Sequence, residues 1–451
     1  MDEKIANYRN PWWWVPTLYF AEGIPYFVVN NISVMMFTKM GVPNGDMSFF
    51  TTLLYFPWFL KGIWSPIVDV LKTKRWWIVM MQILMTAMMV LLTVTLPHPD
   101  SSVISSGNTS ISMFTLTLVL FIITAFASAT HDIAADGYYM LAHSPSSQAA
   151  FIGIRSVFYR VASVFGQGVL VFIAGVIESD GLSALGVEAG NIPMSWQITM
   201  GVAAVVFGTI TLYHTFALPH SADDKPRIDA DAAGSTANNM KELVNSFKTF
   251  VMKPGCLLAI AFMLLYRLPE GFLIKLCQPF LVHSVEEGGL GLPTQLVGTV
   301  YGVFGVIALL LGGILGGLYS SRVGLKKSLW VMAAFMTLPC LTFVYLAIAQ
   351  PANVVIITVA LCIEQFGYGF GFTAYMLYMM YFSEGEFKTS HYAICTAFMA
   401  LSMMLPGFVA GYIQEAIGYV NFFWMVMVCC LATLVVTYFA DKRIDPNYGK
   451  K

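Results

Sequence analysis

Apolar runs long enough to cross a bilayer recur along most of this 451-residue chain, and no other feature limits its fold so tightly. A hydrocarbon core of about 30 Å needs roughly 20 consecutive apolar residues in a helix. Such runs fall near 12–38, 48–70, 76–96, 113–141, 149–177 and 195–217, and again near 254–283, 294–320, 328–349, 353–382, 391–417 and 420–440. Between the two sets lies a polar interval, 218–253, rich in Asp, Lys, Ala, Ser and Asn, which reads as a solvated linker. The expected architecture is an all-α polytopic membrane protein with twelve transmembrane helices in two six-helix bundles. Residues 1–217 form the first bundle, 218–253 a cytoplasmic linker, and 254–451 the second bundle with a short cytoplasmic tail. Composition agrees, with 57% hydrophobic and 11% charged residues and a mean hydropathy of +0.71.

The placement of Lys and Arg sets the expected orientation. Lys4, Arg9, Lys72, Lys74, Arg75, the linker bases, Arg322, Lys326, Lys327, Lys388, Lys442, Arg443, Lys450 and Lys451 all fall on the amino-terminal side. Only Lys39 falls opposite, so both termini read as cytoplasmic. The first apolar stretch carries Glu22 and Pro25 and lacks a small-residue cleavage site, so it reads as a span and not a cleaved signal. Trp12, Trp13 and Trp14 before it read as interfacial anchors. The seven cysteines lie beyond residue 255 in or beside apolar runs, without CxxC spacing, and read as packing residues.

One stretch, Ala127 to Leu141, reads ASATHDIAADGYYML and concentrates the chemistry. It sets Asp132 and Asp136 one helical turn apart on one face, beside His131. An ionised side chain at mid-bilayer costs about 2.5 to 3.5 kcal/mol even on lenient scales, so it faces a partner or a wet cavity. Other deep ionisable residues are Glu22 in span one, Lys61 in two, Arg155 and Arg160 in five, Arg267, Glu270 and Lys275 in seven, and Glu364 in ten. Spans three, six, nine and twelve hold none at depth. At about 1.5 Å per residue, Asp136 lies level with Arg155, while Asp132, Arg160, Glu22 and Lys61 share a deeper level. Three acids therefore face three bases, and a Glu22–Lys61 pair is expected. Protonating one acid frees a base for an anionic substrate. Buried ion pairs also hold helices together without any transport role, and His131 reads equally as a hydrogen-bonded core residue or a proton relay. Lys275 lies close enough to the outer face to snorkel. Tyr19 and Tyr138 are candidates to stack on a substrate, against a packing role.

The two halves repeat one another in kind. YFAEGIPYF and LYRLPEGFLIK each set a Glu-Gly pair, Glu22-Gly23 and Glu270-Gly271, in an aromatic, proline-containing span. SPIVDVLKTKRWW and GGLYSSRVGLKKSLW are both short basic turns that open the next span. Two such halves joined by a polar linker resemble the layout of a major facilitator transporter. More specifically, YFPWFLKGIWSPIVDVLKTKRWW resembles the F-K-x-x-W-S-P-x-x-D signature of AmpG-type muropeptide permeases and the related acetyl-CoA transporters. ATHDIAADGYY is similar to their fourth-helix pattern A-T-Q-D-I-x-x-D-x-[YW], with His131 where Gln is usual. The clear similarity covers the amino-terminal half. It implies a proton-driven carrier with Asp132 and Asp136 as proton and substrate carboxylates, Lys61 in the cavity and Asp69 in a gating loop. Glu22 departs from the small residue usual in that first helix.

The reading is a proton-coupled importer working by alternating access. Its expected cargo is an anionic sugar-containing solute, anhydro-muropeptides first, in the inner membrane. Asp132, Asp136 and Glu22 are the expected proton-coupling groups. Lys61, Arg155, Arg160, Arg267, Glu270, Glu364, Tyr19 and Tyr138 are the expected substrate contacts, with Asp69 in gating. Partners are a small molecule, a proton and the bilayer, for a monomer without nucleic acid, metal or cofactor. Alternatives are another cargo (sugar acid, peptide, acetyl-CoA-like anion or exported drug) or a transporter-like sensor. No HExxH, GxSxG or GxGD pattern supports a membrane enzyme.

Overall fold

The computed structural model describes residues 10–96, 109–141, 145–221, 224, 245, 247–385 and 388–448. Among these, nine helices are long and apolar enough to cross a membrane. The last of them passes through Gly418 at φ 75°, a left-handed backbone that no helix contains, and so is two spans. Two more spans at the start of the chain are interrupted helices, which makes twelve. We label them α1 (15–39), α2 (44–71), α3 (Lys74–Thr95), α4 (Thr109–Leu141), α5 (145–180) and α6 (Ile192–Ala217). The remaining six are α7 (Cys256–Val282), α8 (Thr294–Val323), α9 (Leu325–Ala349), α10 (Val354–Ser383), α11 (388–417) and α12 (419–441). An isolated bridge between Leu182 and Val187 is the extended pairing among the described residues.

Helices dominate because lipid offers backbone groups no partner but their own segment. Several spans are interrupted. Pro25 cannot donate to the helix ladder of α1, and a π-helical turn, Val28–Ile32, follows it. α5 and α8 carry similar turns at Val164–Leu170 and Gly298–Gly305. α2 breaks at Leu54 and Tyr55, and α7 breaks at Tyr266 and Arg267, just ahead of Pro269.

The chain packs as two compact units, residues 1–42 with 56–239, and residues 43–55 with 240–451. Chain order and packing thus part company at α2, whose first half belongs to the second unit. In the first unit Trp14, Leu18, Tyr19, Ile78 and Tyr138 are core residues. Trp12 and Trp13 are exposed, but Trp14 is 1% exposed and packs its ring 5.2 Å from that of Tyr138, so only two of the three tryptophans are free to act as anchors. The cysteines are all free thiols, most of them buried.

In the second unit, α11 presents Gly407 and Gly411, one turn apart, to residues 44–52. A Cβ on Gly411 would lie 1.8 Å from the Asn44 carbonyl oxygen, and one on Gly407 would lie 2.5 Å from Thr52 Oγ1. Small residues at this spacing let two backbones touch. Ser48 then donates to the Gly407 carbonyl at 2.8 Å and accepts from Gly411 N at 3.0 Å. Lys275 does not snorkel: it is 4% exposed, donates to Thr51 Oγ1 at 3.2 Å and lies 5.0 Å from the Tyr55 ring.

Candidate functional site

The turn spacing of Asp132 and Asp136 puts both carboxylates on the same side of α4, where two different helices supply cations. Lys61 of α2 is ion-paired and hydrogen-bonded to Asp132, and Arg155 of α5 to Asp136. Arg155 also lies over two rings, 4.3 Å from Tyr19 and 5.2 Å from Tyr139, while Tyr19 Oη donates to Asp136 Oδ1 at 3.3 Å. A guanidinium held flat by aromatic faces keeps its fork of donors oriented for an anion.

Glu22 of α1 sits beside Asp132 within hydrogen-bond reach, yet no cation among the described residues pairs with it, and no donor reaches its Oε2. The expected Glu22–Lys61 pair is therefore not formed, since Lys61 has closed on Asp132 instead. Side-chain exposure falls from 44% at Asp136 to 18% at Asp132, and Glu22 is 8% exposed. The acids thus form a ladder from wet to dry. Gly23, next to Glu22, lets α1 approach α5: a Cβ there would lie 2.6 Å from the Ala162 methyl of α5.

Other expected residues stand apart. Arg160 is half-buried and pairs with none of the three acids. Tyr138 is fully buried and donates to the Pro219 carbonyl, so its hydroxyl secures the end of α6. Asp69 lies in α2, but its side chain falls outside the described residues. In the second unit Arg267 is 5% exposed, bonded to Tyr368 Oη and stacked over Phe372 at 4.7 Å and Tyr375 at 5.6 Å. Glu270 and Glu364 are each 2% exposed and face one another within hydrogen-bond reach.

Two arrangements escaped the sequence reading. Behind Asp132, His131 Nε2 lies 3.0 Å from Gln82 Nε2, Gln82 reaches His214 Nδ1, and His214 Nε2 lies 2.9 Å from Thr17 Oγ1. The chain ties α4, α3, α6 and α1 together, with Gln82, His131 and His214 all fully buried. Periodicity offers no signal for it, because its members come from four helices far apart in the chain. Asp224, in the interval read as a solvated linker, is 9% exposed and accepts from Lys74 N at 2.7 Å and Arg75 N at 2.9 Å, capping α3. Among the described residues no three His, Cys, Asp or Glu side chains group as a metal site.

A family model, described as the Major Facilitator Superfamily, matches residues 17–391, most of the chain. The chain belongs to the Major Facilitator Superfamily. It is a multi-pass membrane protein, and its family and fold are those of transporters. Among curated relatives it is similar to "Putative transporter AmpG 4" of Rickettsia conorii, 23% identical over 435 residues, covering 94% of this chain and 95% of the relative. It is 20% identical to an uncharacterised Haemophilus influenzae protein over 442 residues, covering 95% and 94%. Among solved structures it is similar in fold to a D-xylose-proton symporter, with a TM-score of 0.70 at 12% identity, covering 97% of this chain and 98% of that one. A POT family transporter in complex with 5-aminolevulinic acid aligns with a TM-score of 0.68 at 10% identity, covering 95% of each chain.

Proposed function

We propose that this major facilitator protein is a proton-coupled importer of an anionic, sugar-containing solute, with anhydro-muropeptides as the first candidate. It works by alternating access in the inner membrane, with both termini cytoplasmic and the carrier acting as a monomer. The observation that carries the reading is the pairing of Lys61 with Asp132 beside a Glu22 that has no ion-pair partner among the described residues. A proton that reaches Asp132 discharges an ion pair, and it leaves toward the cytoplasmic end of α4 by the half-exposed Asp136. The freed ammonium or guanidinium then takes the substrate carboxylate, Arg155 with bidentate geometry. Lys61, Arg155, Tyr19, Arg160 and Arg267 are the proposed substrate contacts, Asp132, Asp136 and Glu22 the proton carriers, and Asp69 a gating residue. The names of the AmpG relatives support the choice of cargo.

The test is uptake of labelled anhydro-muropeptide into proteoliposomes with and without an inward proton gradient. Gradient-dependent accumulation that is lost in Asp132→Asn and Asp136→Asn supports the reading. Folded protein that fails to accumulate the label removes the muropeptide assignment, and counterflow without gradient dependence removes the coupling.

A further inference from the structure

Each unit contains a buried carboxyl pair built on the same plan. In the first, Glu22 on α1 precedes Gly23, which lets α1 approach α5, and meets Asp132 on α4. In the second, Glu270 on α7 precedes Gly271, where a Cβ would lie 2.4 Å from Pro406 of α11, and meets Glu364 on α10. The plans differ in one respect. Asp132 has Lys61, whereas neither Glu270 nor Glu364 has an ion-pair partner among the described residues.

We infer that Glu270 and Glu364 form a second proton-binding site, one proton held between two carboxyls. The two groups are inside the bundle and 2% exposed, so water does not screen them. Two adjacent ionised carboxylates there are prohibitively costly, and a hydrogen bond between two carboxyls requires that one carry the proton. Gln365 Nε2 donates to Glu364 Oε2 at 2.8 Å and fixes that group. No donor reaches Glu270 Oε1, so the pair's missing hydrogen is the shared proton.

The surroundings accept one negative charge and not two. Glu270 lies in the first turn of the helical segment Leu268–Val282, whose N-terminus favours an anion. Arg267 is close enough to act on it, but its guanidinium is held against Tyr368, Phe372 and Tyr375. The other titratable neighbours are neutral hydrogen donors or acceptors: Cys277 of α7, Tyr301 in the π-helical turn of α8, and Cys340 of α9. Lys275, the other buried cation of α7, is bonded to Thr51. The second unit therefore brings its own titratable site, separate from the proposed proton ladder of Asp136, Asp132 and Glu22.

The test needs no substrate, so it stands or fails independently of the cargo and coupling proposed above. Infrared difference spectra of the full-length protein in lipid are recorded across a pH titration in H2O and in D2O, in sodium-free buffer. The expected result is a protonated-carboxyl carbonyl band that shifts on deuteration, is lost in both Glu270→Gln and Glu364→Gln, and survives in Asp132→Asn. Glu364→Asp should keep the band at a shifted position, which covers the case in which a Gln variant fails to fold. Retention of every carboxyl band in both Gln variants overturns the inference. So does loss of the wild-type band on adding sodium at constant pH, which assigns the pair to a metal cation.

Discussion

Lys61 on α2 closes on Asp132 of α4, while Glu22 of α1, beside the same aspartate, has no ion-pair partner among the described residues. Three ionisable groups at one depth thus resolve into one ion pair and one acid beside it.

From this pairing, Asp132→Asn strands Lys61. Breaking a buried pair costs about 3–5 kcal/mol, but Lys61 is more than a third exposed, so roughly 1–2 kcal/mol of stability should be lost here. Joining Lys61→Met to Asp132→Leu should recover most of that loss and leave proton-driven uptake abolished. Thermal melting of the purified protein and uptake in proteoliposomes separate the two effects. Recovery of transport along with stability would assign the pair a purely structural role.

Arg155→Lys keeps the charge beside Asp136 but loses the flat contact with Tyr19 and Tyr139. We expect apparent substrate affinity to weaken about tenfold, near 1.4 kcal/mol, with maximal rate changed less. Concentration dependence of uptake measures this. An unchanged half-saturation concentration would remove Arg155 from the substrate site.

Gly23→Ala drives a methyl to 2.6 Å from Ala162. The cost should be about 1–3 kcal/mol of stability, because α1 and α5 must separate. Adding Ala162→Gly should restore much of it, a coupling that a double-mutant cycle on melting reads directly. Simple additivity would mean that the two helices do not pack at this point.

Substitution of His131 distinguishes relay from packing. Gln at this position can keep the hydrogen bond to Gln82, so His131→Gln should leave uptake and its pH profile unchanged. His131→Leu leaves Gln82 short of a partner and should cost about 1–3 kcal/mol. A shifted pH profile in the Gln variant would instead make His131 part of the proton path.

How much of this was legible in the residues follows from what each feature depends on. Asp132 and Asp136 were readable as a pair because a helix fixes what lies one turn away. Arg155 was readable as the partner of Asp136 because depth follows from residue counting at about 1.5 Å per residue. The choice of Lys61 for Asp132 and not for Glu22 was not, because depth says nothing about rotation of one helix against another. Tyr138 and Tyr139 are neighbours in sequence, yet one secures the end of α6 and the other lies beside Arg155, a difference of about 100° around the helix.

The sequence by itself determined twelve apolar spans, the polar break between two sets of six, and the set of ionisable residues in the membrane, because all three depend on local composition and helical rise. Only the tertiary structure decided which acid Lys61 pairs with, that Asp224 folds back to cap α3, and that residues 44–52 pack against Gly407 and Gly411. These outcomes depend on contacts between residues far apart in the chain, where the packing of small side chains and the pairing of buried polar groups set the register, and no local pattern encodes them.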